Sequence, residues 1–507
     1  MGRQRELPGA NRALSRSHGG ALQEVDVFPL EPTRFDDILE YEQAAAFAQD
    51  LKLAETALRG HDLWHVNSTA TGGGVAEMLQ SVLGYLQGGG VSTRWAVMDG
   101  DDEFFVVTKR IHNFLHGSEG DGGELGAKEC SVLASTLERQ AGELRDLVKP
   151  GDVVILHDPQ TVGFAPMLQG MGIPVIWTCH IGTDQPNHMT QQGWDFLMPF
   201  VQAADRVVFS RSSYVWNALD RQKVDVIPPC IDTFSPKNQW LEPDTTTAIL
   251  SQAVVVPGGA GETSASFRRQ DGAAAIVKTK ARMIEEQPLD PLDTVVAQIS
   301  RWDRLKDHRG VMEGFCRFVP QTLNAHLVLA GPSPGSVIDD PESGETLDEL
   351  QTQWHQLPSE SRSRVHIACL PMIDAEENAA IVNALQRHAQ IIVQKSLAEG
   401  FGLTVAEAMW KEAATVASAV GGIQDQIEDG VSGILIEDAN DLVAFGQALT
   451  GLLRDPDQAR ALGHAAHLSV RNRYLAPRYL ARFLELVLAC SDSKPLPPTS
   501  LRSERRR

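Results

Sequence analysis

"SLAEGFGLTVAEAMW", from Ser396 to Trp410, carries two glutamates, Glu399 and Glu407, with seven residues between them and a Gly-Phe-Gly turn just after the first. The apolar run "AQIIVQK" precedes it and the segment beyond Gly402 has helical period, so the stretch reads as strand, glycine turn, helix. Taken alone, Glu407 is an acid suited to the start of a helix, and Glu399 is a solvated loop residue. A hydrolase reading makes the pair the acid and nucleophile on either side of a glycosidic bond. What the rest of the chain builds around them decides.

Working outward, the same alternation recurs. "DTVVAQIS", "AHLVLAG", "SRVHIACL", "ATVASAV" and "GILIE" read as strands, with helices such as "VMEGFCRFV" and "ENAAIVNALQ" between them. Upstream, "LWHV", "TRWAVM", "DVVILHD", "IPVIWTCH", "DRVVFS" and "VDVIP" form a second series, interleaved with helical segments such as "VAEMLQSVLGYL". Strand, helix, strand in that order implies a parallel, doubly wound sheet, here twice. The expected division is a tail over 1–30, a Rossmann-like domain over 31–238, a Gly/Ala/Ser-rich linker with insertion over 239–291 and a second Rossmann-like domain over 292–473. A helix over 474–490 packs back toward the first domain, and a disordered tail covers 491–507. Open α/β sheets bind ligands at the carboxyl ends of their strands, so two facing domains put the chemistry in the cleft between them.

With 66 acidic and 45 basic residues among 507, the formal charge is -21, which disfavours nucleic acid and anionic membranes as partners. Six scattered cysteines without a C-x-x-C pair suggest neither a disulfide framework nor a structural zinc site, and a reducing cytoplasm fits them. No apolar run reaches the roughly 18–20 residues that span a bilayer. The Arg-rich start reads as a basic tail in preference to an organelle transit peptide. A homodimer is allowed, the oligomeric state being left open.

Candidate residues cluster at strand ends. "NSTATGGGVAEML" follows the first strand with Gly72, Gly73 and Gly74, which let a backbone approach a phosphate at a helix start, although a plain tight turn reads equally well. "SRWDRLKD" sets Arg301 and Lys306 past a strand, where a pyrophosphate needs cations and where surface cations are also common. "WTCHIGTD" brings His180 to the rim, and "LHDPQT" brings His157, Asp158 and Gln160, side chains suited to sugar hydroxyls. "MDGDD" reads as an acidic turn and helix cap before a metal site.

These stretches together bring out a resemblance. "HVNSTATGGGVAEML", "DDEFFVVTKRIHNFLHG", "HDPQ", "CHIGTD", "SRWDRLKD" and "EGFGLTVAEAMW" followed by "AVGGI" resemble the retaining nucleotide-sugar glycosyltransferases of the GT-B fold, and within them the trehalose glycosyltransferring synthases. The match runs from about His61 to about Val487. The resemblance implies an α/β GT-B architecture with the acceptor side in the first domain and the nucleotide sugar in the second. It implies reversible transfer of glucose from ADP- or UDP-glucose to glucose with retention, giving α,α-trehalose. No tightly bound cofactor and no metal are required. Carried onto this sequence, Arg301 and Lys306 hold the diphosphate, Glu399 the glucose hydroxyls and Glu407 the ribose. Gly400, Phe401, Gly402, Leu403 and Thr404 form the donor turn, and the loop of Gly73 and Gly74 closes over the donor and acceptor. His180 lies near the reacting carbon; Asn67, Asp158 and Gln160 face the acceptor; base contacts fall near Met372 and Ile373. The chain departs from the subgroup in its insertion and tails, and in "KEAATVAS" where a Lys-Gly-x-Pro-Val-like turn is usual. A trehalose phosphorylase and a silent sugar-binding protein are the rival readings.

Overall fold

The computed structural model describes residues 22–70, 73–258, 263–334, 342–491 and 501. Most of both tails, Gly72 and residues 259–262 of the insertion lie outside the described residues. Two seven-stranded sheets, each flanked by helices, face one another, and each has one antiparallel edge strand.

In the first sheet the spatial order is Gln23–Val25, Thr93–Val97, Leu63–Asn67, Val153–His157, Val175–Cys179, Arg206–Phe209 and Val224–Val226. Chain order reverses between Leu63–Asn67 and Val153–His157, and a crevice opens at such a switch point. The loops leaving these two strands are the glycine loop and the His157–Gln160 turn. The second sheet runs Arg282–Ile284, Val365–Leu370, Ala325–Pro332, Thr294–Ile299, Ile391–Gln394, Ala414–Ser418 and Ile434–Ile436. Its reversal lies between Thr294–Ile299 and Ile391–Gln394, whose following loops carry Arg301, Lys306 and Glu399. Central strands such as Val153–His157 and Val365–Leu370 are buried at every position, which is why they read as unbroken apolar runs.

Two stretches differ from the sequence expectation. Residues 22–30, assigned to the tail, include the edge strand Gln23–Val25 paired with Thr93–Val97, and Leu30 is buried against the helix Gly74–Gly88. A three-residue edge strand offers too little alternation to stand out. The stretch 239–291 is not a linker beside a core but part of one. Its helix Pro243–Gln252 packs on the helix Ala375–His388, its hairpin pairs Ser266–Arg268 with Ala274–Ile276, and Arg282–Ile284 extends the second sheet. Ile249, Leu250, Val255, Val256, Phe267, Val277 and Leu289 are all buried, but the Gly and Ser among them break any period a reader could follow.

The chain crosses between domains twice, at adjacent points: Ile231 donates its N–H to Tyr474 O at 2.9 Å, and Ile231 bridges Leu475. Beyond that point the helix Ala476–Cys490 joins the first domain, burying Leu480, Phe483, Leu484 and Val487 against the helices Tyr41–Ala57 and Gly74–Gly88.

The helix Pro456–Arg473 packs on the Glu407-bearing helix Leu403–Trp410 so closely that a Cβ at Gly463 would lie 2.0 Å from Glu412 O. A backbone carbonyl cannot yield, so Gly463→Ala is expected to cost about 1–3 kcal/mol, read as a lowered urea midpoint. Gly451, in the helix Leu442–Arg454, has nothing within 4 Å of such a Cβ; Gly451→Ala is expected to stabilise the protein by about 0.5–1 kcal/mol, read as a raised midpoint.

Candidate active site

The two loops at the second sheet's switch point are built as one unit. Asp303 caps the turn Arg304–Lys306 by accepting from Leu305 N at 2.8 Å; Asp307, with φ of 49°, caps the helix His308–Phe318 through Gly310 N at 3.0 Å. The buried Gln298 side chain donates to Lys306 O at 2.7 Å and accepts from Lys395 N at 3.1 Å, while Leu397 N donates to Leu305 O at 2.7 Å. Lys395 Nζ pairs with Asp307. Thus held, Lys306 Nζ meets Glu399 Oε2 at 2.6 Å, and the same oxygen accepts from Ser396 Oγ at 3.1 Å. Lys306 and Glu399 are 15% and 12% exposed, whereas Arg301 stands at 47% with Asp303 3.7 Å away.

Gly402, at φ 82°, turns the chain into the helix Leu403–Trp410, whose first N–H groups have no side-chain cap. A helix start of this kind favours an anion. Thr404 Oγ1 donates to Gln394 Oε1 at 3.0 Å, and Phe401 points inward, edge-on to Tyr474 with ring centres 5.5 Å apart. Gly400 passes so near the first domain that a Cβ there would lie 3.2 Å from His180 O. Glu407 is buried beneath this turn. Its Oε1 lies 3.4 Å from Lys237 Nζ, which also binds Glu77 Oε2 at 2.7 Å, and its Oε2 has no hydrogen-bond partner. Burial raises the Glu407 carboxyl above its ordinary range, while Lys237 and Lys411 pull it back.

Across the cleft, a Cβ at Gly74 would lie 2.8 Å from Leu403 Cδ1, so the glycine loop touches the Gly402–Leu403 turn. Gly73 is extended. Asn67 is committed at both ends of its amide, accepting from Trp95 Nε1 at 2.9 Å and donating to Thr69 O at 2.6 Å, which shapes the loop's entry. Asp158, at φ 62°, accepts His180 N through Oδ1 at 2.9 Å, and burial raises its carboxyl. Gln160 Oε1 is buried without a partner. Asp101 caps the helix Asp102–Leu115 through Phe104 N at 2.9 Å, and among the described residues no group of three or more His, Cys, Asp or Glu is arranged to hold a metal ion.

Several residues not singled out from sequence border the same space. His112 and His116, ring centres 4.8 Å apart, are partly buried, and desolvation holds both imidazoles below their ordinary value; His112 feels the charge of Arg301, and His116 those of Glu399 and Lys306. Their four-residue spacing in "RIHNFLH" was the available signal. Tyr214 OH donates to Gly400 O at 2.7 Å and lies 3.0 Å from Glu399 O. Asp184 accepts from Arg211 Nη1 at 2.7 Å, Ser213 Oγ at 2.8 Å, and Gly421 N and Gln424 Nε2 at 3.0 Å each, so the loop after His180 is bound to the second domain. Gly421, at φ 53°, leaves room only for hydrogen, since a Cβ would lie 1.9 Å from Glu399 O.

Comparison with known proteins shows the family. A family model described as trehalose synthase, N-terminal domain, matches residues 65–216, and one described as glycosyl transferases group 1 matches 279–468. The chain is 32% identical to a trehalose synthase of Pyrococcus horikoshii, covering 92% of this chain and 99% of that one. It is 33% identical to a trehalose synthase of Rubrobacter xylanophilus, covering 85% and 90% respectively. The fold matches a solved alpha,alpha-trehalose-phosphate synthase (UDP-forming) from Burkholderia vietnamiensis with a TM-score of 0.63, at 16% identity, over 85% of this chain and 99% of that one. The chain therefore belongs to the trehalose synthase family of GT-B glycosyltransferases and is a trehalose-related hexosyltransferase built of two Rossmann-like lobes.

Proposed function

We propose that the protein transfers glucose from a nucleoside diphosphate glucose, ADP- or UDP-linked, to free glucose through the two anomeric carbons, forming α,α-trehalose reversibly and with retention. The observation that carries this reading is the convergence of Lys306, Glu399 and an uncapped helix start at one switch point, facing His180 and His116 of the other lobe.

A nucleoside diphosphate leaves with growing negative charge. In this reading Arg301, Lys306 and the first N–H groups of Leu403–Trp410 stabilise it, a role that removes any need for paired carboxylates around the sugar. The Lys306 ammonium lies 2.6 Å from Glu399; a diphosphate draws it away and leaves Glu399 to accept glucose hydroxyls. The unpartnered Glu407 Oε2 suits a ribose hydroxyl. Gln160 Oε1 and Asp158 are offered to the acceptor, with Asn67 behind them shaping the glycine loop. Holding both sugars in register is worth about 7–11 kcal/mol of barrier. Attack then comes from the leaving-group face, where a departing phosphate oxygen takes the acceptor proton.

The direct test is incubation with ADP- or UDP-glucose plus glucose and identification of the product by chromatography. A nonreducing disaccharide is expected. Phosphate-dependent release of glucose 1-phosphate from trehalose would replace this reading with phosphorolysis, and glucose release without acceptor would replace it with hydrolysis. Lys306→Ala is expected to lower kcat by about 10²–10³, the range for losing one preorganised charge stabiliser. Glu399→Gln should cut turnover sharply with unchanged far-UV circular dichroism. Gly421→Ala, which displaces the Glu399 carbonyl, should lower kcat by about tenfold or more through lost positioning.

A further inference from the structure

Behind His180 lie two more histidines that the reaction as described does not use. His65 sits at the middle of strand Leu63–Asn67, His157 ends the adjacent strand Val153–His157, and His180 follows the next one, Val175–Cys179. Their rings step from the sheet interior to its carboxyl edge. His65 and His157 are stacked with ring centres 5.3 Å apart, and His157 and His180 with centres 5.7 Å apart. His65 Nδ1 is 3.0 Å from His157 Nε2, and His157 Nδ1 is 3.4 Å from His180 Nε2. Both inner rings are fully buried, and burial pushes His65 down to about 3 and His157 well below its ordinary value, so both are neutral.

Each nitrogen-to-nitrogen contact holds one proton, and a chain of neutral imidazoles therefore has two arrangements. In the inward one His180 donates from Nε2, His157 donates from Nε2, and His65 is left with an N–H at Nε2. That atom is buried with no partner, and the neighbouring Phe483 ring, tilted by only 37°, does not present its face to it. In the outward one His65 and His157 each donate from Nδ1, and the unmatched atom is a bare lone pair. Orphaned buried N–H groups are the rarer and costlier outcome.

We infer that His65 and His157 are positioning residues that hold His180 as its Nδ1–H tautomer, so that the side chain meets the cleft as a hydrogen-bond donor to a sugar oxygen. The role of His180 at the sugar rests on the transfer reading above; its tautomer does not. The backbone of His180 is fixed separately by Asp158 Oδ1 at 2.9 Å, so the ring's protonation pattern is what the two inner histidines add.

The test uses the full chain with 15N-labelled histidine, assigning the His180 signals by their loss in His180→Asn. The expected spectrum has the proton on Nδ1 and a bare Nε2; a proton on Nε2 overturns the inference. In parallel, His157→Asn, whose amide nitrogen occupies the place of Nδ1, is compared with His157→Leu, which has no donor. The leucine variant should lose at least about tenfold in kcat with donor KM changed less than threefold, and asparagine should restore most of that loss. Equal rates in the two variants overturn the inference. If His157→Leu does not fold, the spectrum of the unsubstituted protein still decides, and if no trehalose forms at all, the transfer reading fails while the tautomer is still read directly.

Discussion

The buried amide of Gln298 is the joint on which the second domain's half of the site depends. Its two ends bond the carbonyl of Lys306 and the N–H of Lys395, and so hold in one register the two loops that leave neighbouring strands at the switch point. Everything placed on those loops inherits that register: the ammonium of Lys306, the carboxylate of Glu399, and the Gly402 turn that aims a helix start into the cleft. An unmatched buried amide costs about 1–3 kcal/mol, which makes the joint resist loosening. Sheet topology supplies the place; this one side chain supplies the precision.

The opposing lobe reaches the same turn by independent routes. Tyr214 grips the carbonyls of Glu399 and Gly400, Asp184 gathers Gly421 and Gln424, and Gly74 lies against Leu403. The insertion adds a further tie on the other flank: Arg269 pairs with Asp374 and with Glu376 at 2.6 Å, while the Gln270 side chain reaches Ser81 at 3.1 Å and Asp232 at 3.2 Å. Closure of the cleft is thus shared between the rim of the site and a hairpin remote from it.

Strand-helix alternation, the two-domain plan and the loops bearing Arg301, Lys306 and Glu399 were legible because buried parallel strands write themselves as short apolar runs and glycine turns punctuate them. The edge strand Gln23–Val25 and the hairpin Ser266–Ile276 were not, since short, half-exposed strands carry no run to see. Single residues were harder still. Lys237 sits in the connection between domains with no motif around it, yet it neutralises Glu407 across a domain boundary. Asn67 stands in a glycine-loop motif but spends its amide on Trp95 and Thr69, a commitment visible only once the strands are paired. His112 and His116 did share a helical face, but nothing in one dimension said that this face meets Arg301 and Glu399.

The helix Ala476–Cys490 completes the core of the domain that the ribosome makes first. Until that helix emerges, the apolar surface formed by Phe47, Leu51, Leu79 and Leu83 has no cover from the chain's end. The early lobe therefore cannot complete this core before the second lobe has been translated, and the nascent chain must keep that surface from aggregating through the translation of more than two hundred further residues.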